Sequence, residues 1–482
     1  MPLCSRRHFL YGSSFGLAGL GLLDLISREA AADTGPPSKP QLEPVRYDLA
    51  PKPPHFAQRA KAMISMFMVG GPSHIDLFDY KPELARLDGQ EFPGQVAYDN
   101  PAQASRLVRG PIWKFNHHGQ CGMHLGEPLP HLAKVADDIT LIHSMRTNIN
   151  NHSSVFAMNT GQGTPGRPTL GSWLVYGLGS VTQELPTFVA LTHPDGHPLF
   201  AGENWTNAWL PGIYQGTVVR PTEPRILNLD PPDYLAGAPQ RAQLDLLRRL
   251  NDRHLAAHPG ESDLAARIAN YELAARMQLA AREAFDVSGE TQETLDFYGI
   301  HNDGTRDYGM RCLIARRLVE RGVRFVQIFA AGQTWDHHNN ITINLPRMCT
   351  AVDQPSAALV ADLKRRGLLD TTLVHWGGEM GRLPTVQVPR GADARGESIG
   401  RDHNVLGFSM WAAGGGLKPG YTHGSTDEFG HHAVEDVVSH TDWFATVLHL
   451  FGLDHKRLSY KREVRELTPT DGAGQVIEKL LA

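Results

Sequence analysis

The chain has 482 residues, 41% hydrophobic and 20% charged, with a formal net charge of −5 when histidine is neutral. That length suits one large α/β domain or two ordinary ones, and the mild negative charge excludes an electrostatic footprint for nucleic acid or another polyanion. Histidine is the unusual count, 24 against 4 cysteines, and as the commonest metal ligand it favours a metal site.

The first residues, "SRRHFLYGSSFGLAGLGLLDL", place Arg6 and Arg7 ahead of a glycine-rich apolar run from Phe9 to about Leu25, and Ala30-Ala31-Ala32 follows. Paired arginines, a short apolar run and small residues at a cleavage position read as a twin-arginine export signal over residues 1–32. The other reading, an uncut membrane anchor, requires roughly 20 apolar residues, and this run is shorter and broken by glycine. The mature protein is therefore expected in the periplasm or outside the cell, with no stable membrane span, exported already folded. Cys4 leaves with the signal; Cys121, Cys312 and Cys349 remain, an odd number with no CxxC spacing, so neither a disulfide framework nor a thiolate metal site is expected.

A proline-rich arm covers residues 33–61. The core, residues 62–482, begins with "AMISMFMVGG", a continuous apolar strand ending in two glycines. "PLPHLAKVADDITLIHSM" predicts a helix and then a strand over Ile139 to Ser144, and "LPTFVAL" a strand over Leu185 to Leu191. Residues from Thr192 to Pro232, rich in Gly, Pro and Trp, read as a long loop or small antiparallel element. The Ala-, Leu- and Arg-rich stretch from Gln240 to Phe285 reads as a helical insertion over about 238–300. "RLVERGVRFVQIFAAG" and "PSAALVADLKRRGLLDTTLVHWGG" each repeat helix then strand, "VLGFSMWAAGGG" is a further strand, and "SHTDWFATVLHLFGL" is a closing amphipathic helix. Strands apolar throughout and separated by helices predict an α/β fold, a central mostly parallel sheet with helices on both faces.

Open α/β sheets bind ligands beyond the carboxyl ends of their strands. The residues following each predicted strand repeat one chemistry: Ser73, His74, Asp76 and Asp79; Asn151, His152, Ser153 and Ser154; Asp336, His337 and His338 in "WDHHNN"; and Glu379 in "GGEMGR". Asp402 and His403 immediately precede the last strand. Asp, Glu and His converging from separate strands suit a divalent cation (Zn, Mn, Mg or Ca), and two cations roughly 4 Å apart would clamp a tetrahedral ester. The expected ligands are His74, Asp76, Asp336, His338, Glu379 and His403. His152, Ser153 and Ser154 are the expected catalytic groups, and Asn151 and Arg382 the expected substrate contacts. Each has a plainer reading: Asp336 and Asp402 as turn residues, Glu379 as a first-turn residue favoured by the helix dipole, and the serines as a helix cap.

Several longer segments carry a resemblance. "GGPSHIDLFDYKP", "NHSSVFAMNTGQ", "GRPTLGSWLVYGLGS", "WDHHNN", "EMGRLP", "GRDHN" and "STDEFGHHAVEDVVSHTDWFATVLHLFGLDHKRLSYK" together resemble the exported, sulfatase-like bacterial domain of unknown function numbered fifteen-hundred-and-one, from about Met63 to the C-terminus. That family is similar in fold to the alkaline phosphatase and sulfatase superfamily, which implies a metal site at the strand ends. In "GLLDTTLVHWGGEMG", Glu379-Met380 stands where sulfatases carry Asp-His, so the resemblance implies that Glu379 is an oxygen ligand and that an imidazole is lost. Asn151 takes the position of the sulfatase cysteine, so the formylglycine nucleophile is absent, and Ser153 or Ser154 would replace it as a metal-activated hydroxyl. His152 or His403 would protonate the leaving group.

The reading that follows is an exported metal-dependent hydrolase of a sulfate or phosphate ester, with a small-molecule or polysaccharide substrate. The alternative is a non-catalytic binding or assembly protein on a degenerate sulfatase-like fold. Oligomeric state is not legible in the sequence.

Replacing Arg6 and Arg7 together with lysine is expected to block export, read as loss of the protein from the periplasmic fraction. Continued export from cells lacking the twin-arginine pathway would contradict the assignment.

Overall fold

The computed structural model describes residues 48–226, 234, 237–258, 261–389, 393, 396–462 and 464–482. The expected signal and the first part of the arm lie outside the described residues. The chain divides into two units, Arg46–Asp252 with Ser262–Ala482, and Met1–Val45 with Arg253–Glu261. What is described of the second is the end of one helix and the residue after it; the first holds everything that follows.

Nine strands form the central sheet: β1 (Ala62–Phe67), β2 (Ile139–Arg146), β3 (Phe188–Leu191), β4 (Thr217–Val219), β5 (Phe325–Phe329), β6 (Thr372–Gly377), β7 (Phe408–Ala413), β8 (Tyr421–His423) and β9 (Val438–Ser439). Their order is β8-β2-β7-β6-β1-β5-β3-β4, with β9 also pairing β2. β7 is antiparallel to both β2 and β6, and every other pairing is parallel. Every residue of β1, β3, β5, β6 and β7 is buried. That is the pattern of strands covered on both faces, and it explains their unbroken apolar sequences.

The principal helices are α1 (Ser154–Thr160), α2 (Leu170–Leu178), α3 (Ala238–Ala257), α4 (Ser262–Phe285), α5 (Arg306–Glu320), α6 (Ile341–Arg365) and α7 (His440–Leu450). α5 packs on β5 and β1, and α6 packs on α5. α1, α2 and α7 bring Met158, Leu170 and Trp443 to the sheet face that carries Met63, Ser65 and Phe67. α7 starts with a full capping box, in which Ser439 Oγ accepts from the Asp442 N–H and the Asp442 carboxylate accepts from the Ser439 N–H.

One polar row crosses the apolar sheet. Ser65 is in register with Gln327 on one side and His375 on the other. Ser65 Oγ lies 3.1 Å from His375 Nδ1, and Gln327 Nε2 donates to Asn159 Oδ1 at 2.9 Å. The second contact ties the sheet to α1, at whose start His152 and Ser153 stand, so it fixes the site from below.

Three differences from the sequence reading have physical causes. "LAKVADD" forms a 3₁₀ run, Leu132–Asp138, with a break at Val135. The Thr192–Pro232 stretch contains β4, which adds to the sheet in parallel rather than forming an antiparallel element. The edge strands β4, β8 and β9 have two or three residues each, too short for any periodic signal.

The loop after β1 meets the loop after β5 backbone to backbone. Gly70 has φ +113°, and a Cβ there would lie 2.4 Å from the Asp336 nitrogen and 2.8 Å from the Trp335 carbonyl carbon. Gly70→Ala is therefore expected to lose about 1–3 kcal/mol from backbone conformation alone, plus the cost of the clash. Gly202→Ala, with nothing within 4 Å of the added carbon, is expected to change little. Urea unfolding of the two variants checks this.

Candidate metal centre

The parallel sheet delivers the loops after β1, β2, β5 and β6 to one edge, and the antiparallel β7 brings the residues before it to the same edge. At the end of β6, Gly378 lets the chain pass against the loop after β1; a Cβ there would come within 2.5 Å of the Met68 carbonyl oxygen. Glu379 follows, completely buried. The Gly70 N–H donates to both its carboxylate oxygens, at 2.9 Å and 3.2 Å.

Asp336 divides its carboxylate between two groups. Oδ1 lies 2.6 Å from Arg382 Nη2, 2.9 Å from His338 Nε2 and 3.2 Å from His403 Nε2. Oδ2 lies 2.9 Å from Gln333 Nε2 and 3.3 Å from His152 Nε2. The other nitrogen of His152 sits 2.9 Å from Glu379 Oε1, so this imidazole bridges the two carboxylates. His338 Nε2 and His403 Nε2 are 3.0 Å apart.

Burial would raise the Asp336 carboxyl, but Arg382 and the three imidazoles together hold it far below the usual carboxylate range. His152 shows the opposite balance. Its burial disfavours charge, yet hydrogen bonds to Asp336 and Glu379 raise it to about 9. His403 is lowered, chiefly by burial, with Arg382 and His152 adding to that against the pull of Asp336.

The donor set fits a first-row cation. Asp336 Oδ1, His338 Nε2 and His403 Nε2 form a triangle with sides of 2.9, 3.0 and 3.2 Å. A tetrahedral ion with bonds near 2.0–2.1 Å holds its ligand atoms about 3.3 Å apart. Two imidazoles with a carboxylate suit Zn or Mn better than Ca or Mg, which prefer all-oxygen shells. His338 Nδ1 faces Gln387 Oε1, which fixes the tautomer and leaves Nε2 directed at the triangle. His403 Nδ1 is buried without a hydrogen bond, 3.6 Å from Asp99 Oδ2.

Asp336, His338, Glu379, His403 and His152 thus come together, whereas other expected residues do not join them. Asp76 forms a buried ion pair with Arg401, at 2.9 Å, and also accepts from Ser73 Oγ and the Ile112 N–H. Its oxygens hold the fold and are not offered to an ion. His74 has both ring nitrogens in use, Nε2 toward the Gly430 carbonyl (2.7 Å) and Nδ1 accepting the Arg382 N–H (3.3 Å). Burial lowers it to about 4, so it is a neutral structural histidine. Arg382 spends its guanidinium on Asp336 and on the carbonyls of Gly70, Gly71, Trp335 and Arg401. With every donor group committed inside the protein, it is a clamp between loops rather than a substrate contact.

Ser154 is buried, and its hydroxyl donates to the Asn151 carbonyl at 2.8 Å. Ser153 stands at the N-cap without a side-chain cap bond, and its N–H donates to Asn151 Oδ1 at 2.8 Å. Asn151 therefore shapes the turn that presents His152. Sequence reasoning missed Gly70, Gln333, Gln387, Asp99 and Arg401. Of these, the "GG" after the first strand was the one visible signal, because a glycine pair there implies close backbone approach.

The fold and the clustered donors define an α/β protein with a candidate mononuclear metal centre at the strand ends. The chain belongs to the family described as Protein of unknown function (DUF1501), whose model matches residues 60–481. No curated protein matches the sequence. Among solved structures it is similar to the PsFucS1 sulfatase from Pseudoalteromonas sp., at 15% identity over 67% of this chain and 62% of that one, with a TM-score of 0.32. The chain thus spans less than two thirds of that protein's length. It is also similar to the lipoteichoic acid synthase LtaP from Listeria monocytogenes, at 9% identity over 87% and 78% of the two chains, TM-score 0.32. A third is Ps i-CgsB, at 12% identity over 83% and 73%, TM-score 0.31.

Asp76→Ala leaves Arg401 buried without its carboxylate, and is expected to cost about 3–5 kcal/mol in urea unfolding. Metal content per folded chain should remain that of the wild type. Loss of metal from folded Asp76→Ala protein would return Asp76 to the ligand set.

Proposed function

We propose that this chain is an exported metal-dependent hydrolase of sulfate or phosphate esters. The observation that carries the proposal is the triangle of Asp336 Oδ1, His338 Nε2 and His403 Nε2 beside the buried His152–Glu379 pair. A divalent cation held by that triangle supplies Lewis-acid polarisation of an ester oxygen.

The remaining roles fall to the chain's own groups. His152, its side chain 17% exposed between two carboxylates, is the group with a proton to give to a leaving oxygen. Glu379 and Asp336 hold that imidazole in place and balance its charge. Of the two serines, Ser153 is the one available for attack, since the Ser154 hydroxyl is engaged with the Asn151 carbonyl. Arg382 keeps Asp336 ionised and fixed. The substrate class is a monoester of a small molecule or of a polysaccharide.

One set of contacts favours the second reading, a binding protein without turnover. Asn151 occupies the position where the family resemblance puts the sulfatase nucleophile, and its side chain is used to hold the turn.

Aryl phosphates and aryl sulfates, assayed with Zn, Mn, Mg and Ca in turn, separate the readings. His152→Ala is expected to keep its metal and lose about 10²–10⁴-fold in turnover, while Asp336→Ala loses both metal and turnover. A wild-type protein that binds metal but turns over none of these esters favours the binding reading.

A further inference from the structure

Outside the sheet-edge centre, a second pair of imidazoles is built into a small hairpin. Strands Phe115–His118 and Met123–Gly126 pair antiparallel, with His117 directly opposite His124. Their Nε2 atoms approach to 2.6 Å, and the rings, with centroids 3.7 Å apart, are tilted by 55° rather than stacked. The nitrogens, not the ring faces, meet.

The hairpin presets this arrangement. His117 Nδ1 lies 2.9 Å from the Gly122 carbonyl, so it carries the proton and leaves the Nε2 lone pair facing His124. The turn itself is held by Asp137, whose carboxylate accepts the N–H groups of Gln120 (2.9 Å) and Cys121 (2.8 Å). Gly119 and Gly122, both at φ +68°, supply the left-handed backbone it needs. Cys121 points its thiol at the His118 carbonyl (3.8 Å), away from the pair. His117 is exposed and His124 half-buried, so water reaches the open side.

We infer that His117 and His124 form a second, surface site for a borderline divalent transition-metal ion such as Cu²⁺, Ni²⁺ or Zn²⁺, with water completing its shell. Imidazole nitrogen is the ligand these ions share, and Cu²⁺ is the tightest of them on such a site. Two imidazoles on one ion with bonds near 2.0–2.1 Å hold their nitrogens about 3.3 Å apart. The pair needs to open by only about 0.7 Å from its 2.6 Å spacing, a small rotation of exposed side chains. His124 gives up its Nε2 proton to solvent and takes one at Nδ1, so the ion meets two neutral imidazoles and no charged group is created. Burial, with His117 and His118 acting in the same direction, lowers His124, which favours the neutral ring.

The test is a Cu²⁺ titration of the full, chelator-treated chain, followed by electron paramagnetic resonance and by bound copper after desalting. The wild type is expected to bind one equivalent more than either His117→Gln or His124→Gln, and to show a nitrogen-ligated signal that both variants lack. A His338→Gln/His403→Gln chain is expected to keep that signal while losing the sheet-edge equivalent. This arm separates the surface site from the function proposed above. Equal copper stoichiometry and identical spectra in the wild type and both hairpin variants, with unchanged circular dichroism, would overturn the inference. So would loss of the signal in the His338→Gln/His403→Gln chain alone.

Discussion

The Asp336 carboxylate has to stay ionised with its side chain only 7% exposed, and the surrounding loops are arranged to permit it. Removing a carboxylate from water costs several kcal/mol unless opposite charge and hydrogen bonds replace the solvent. Arg382 provides the charge at 2.6 Å. Its guanidinium is in turn held by the Gly70, Gly71, Trp335 and Arg401 carbonyls, so the clamp reaches the loops after β1 and β5 and the segment before β7. Gly70 completes the linkage, accepting from Arg382 through its carbonyl and donating to Glu379 through its N–H. A change in any one of these loops is therefore transmitted to both carboxylates.

The sheet makes this interlock possible. Parallel strands bring successive loops to the same edge, and β7, running the other way, delivers His403 there from its N-terminal side. Two cationic groups, Arg382 and the raised His152, already face the two carboxylates. A divalent ion joins them on the remaining side, where His338 and His403 present neutral nitrogen. That division assigns different work to the two Asp336 oxygens: Oδ1 belongs to the ion and the clamp, Oδ2 to the imidazole that carries the proton.

Much of this was legible in the sequence because it depends on local pattern. The inner strands are apolar end to end, and Asp336, His338, Glu379, His403 and His152 were singled out for adjoining them. The same rule also singled out His74, Asp76 and Arg382, which the fold turns inward. The reason is non-local. Asp76 finds its partner in Arg401, 325 positions away, and His74 finds Gly430, 356 positions away. No periodicity or spacing announces pairings of that length. Gln387 and Asp99 were invisible for a related reason: they reach the imidazoles from segments that carry no central-strand signal. The serines illustrate a third limit, since a cap and a nucleophile have the same sequence and differ in where one hydroxyl points.

The most direct measurement is anomalous diffraction from crystals grown with Zn²⁺ or Mn²⁺, recorded at the metal's absorption edge. The account predicts one strong peak at bonding distance from Asp336 Oδ1, His338 Nε2 and His403 Nε2, with Arg382 still on Asp336. A peak bound instead by Asp76 and His74, or no peak at this edge of the sheet under saturating metal, would contradict it.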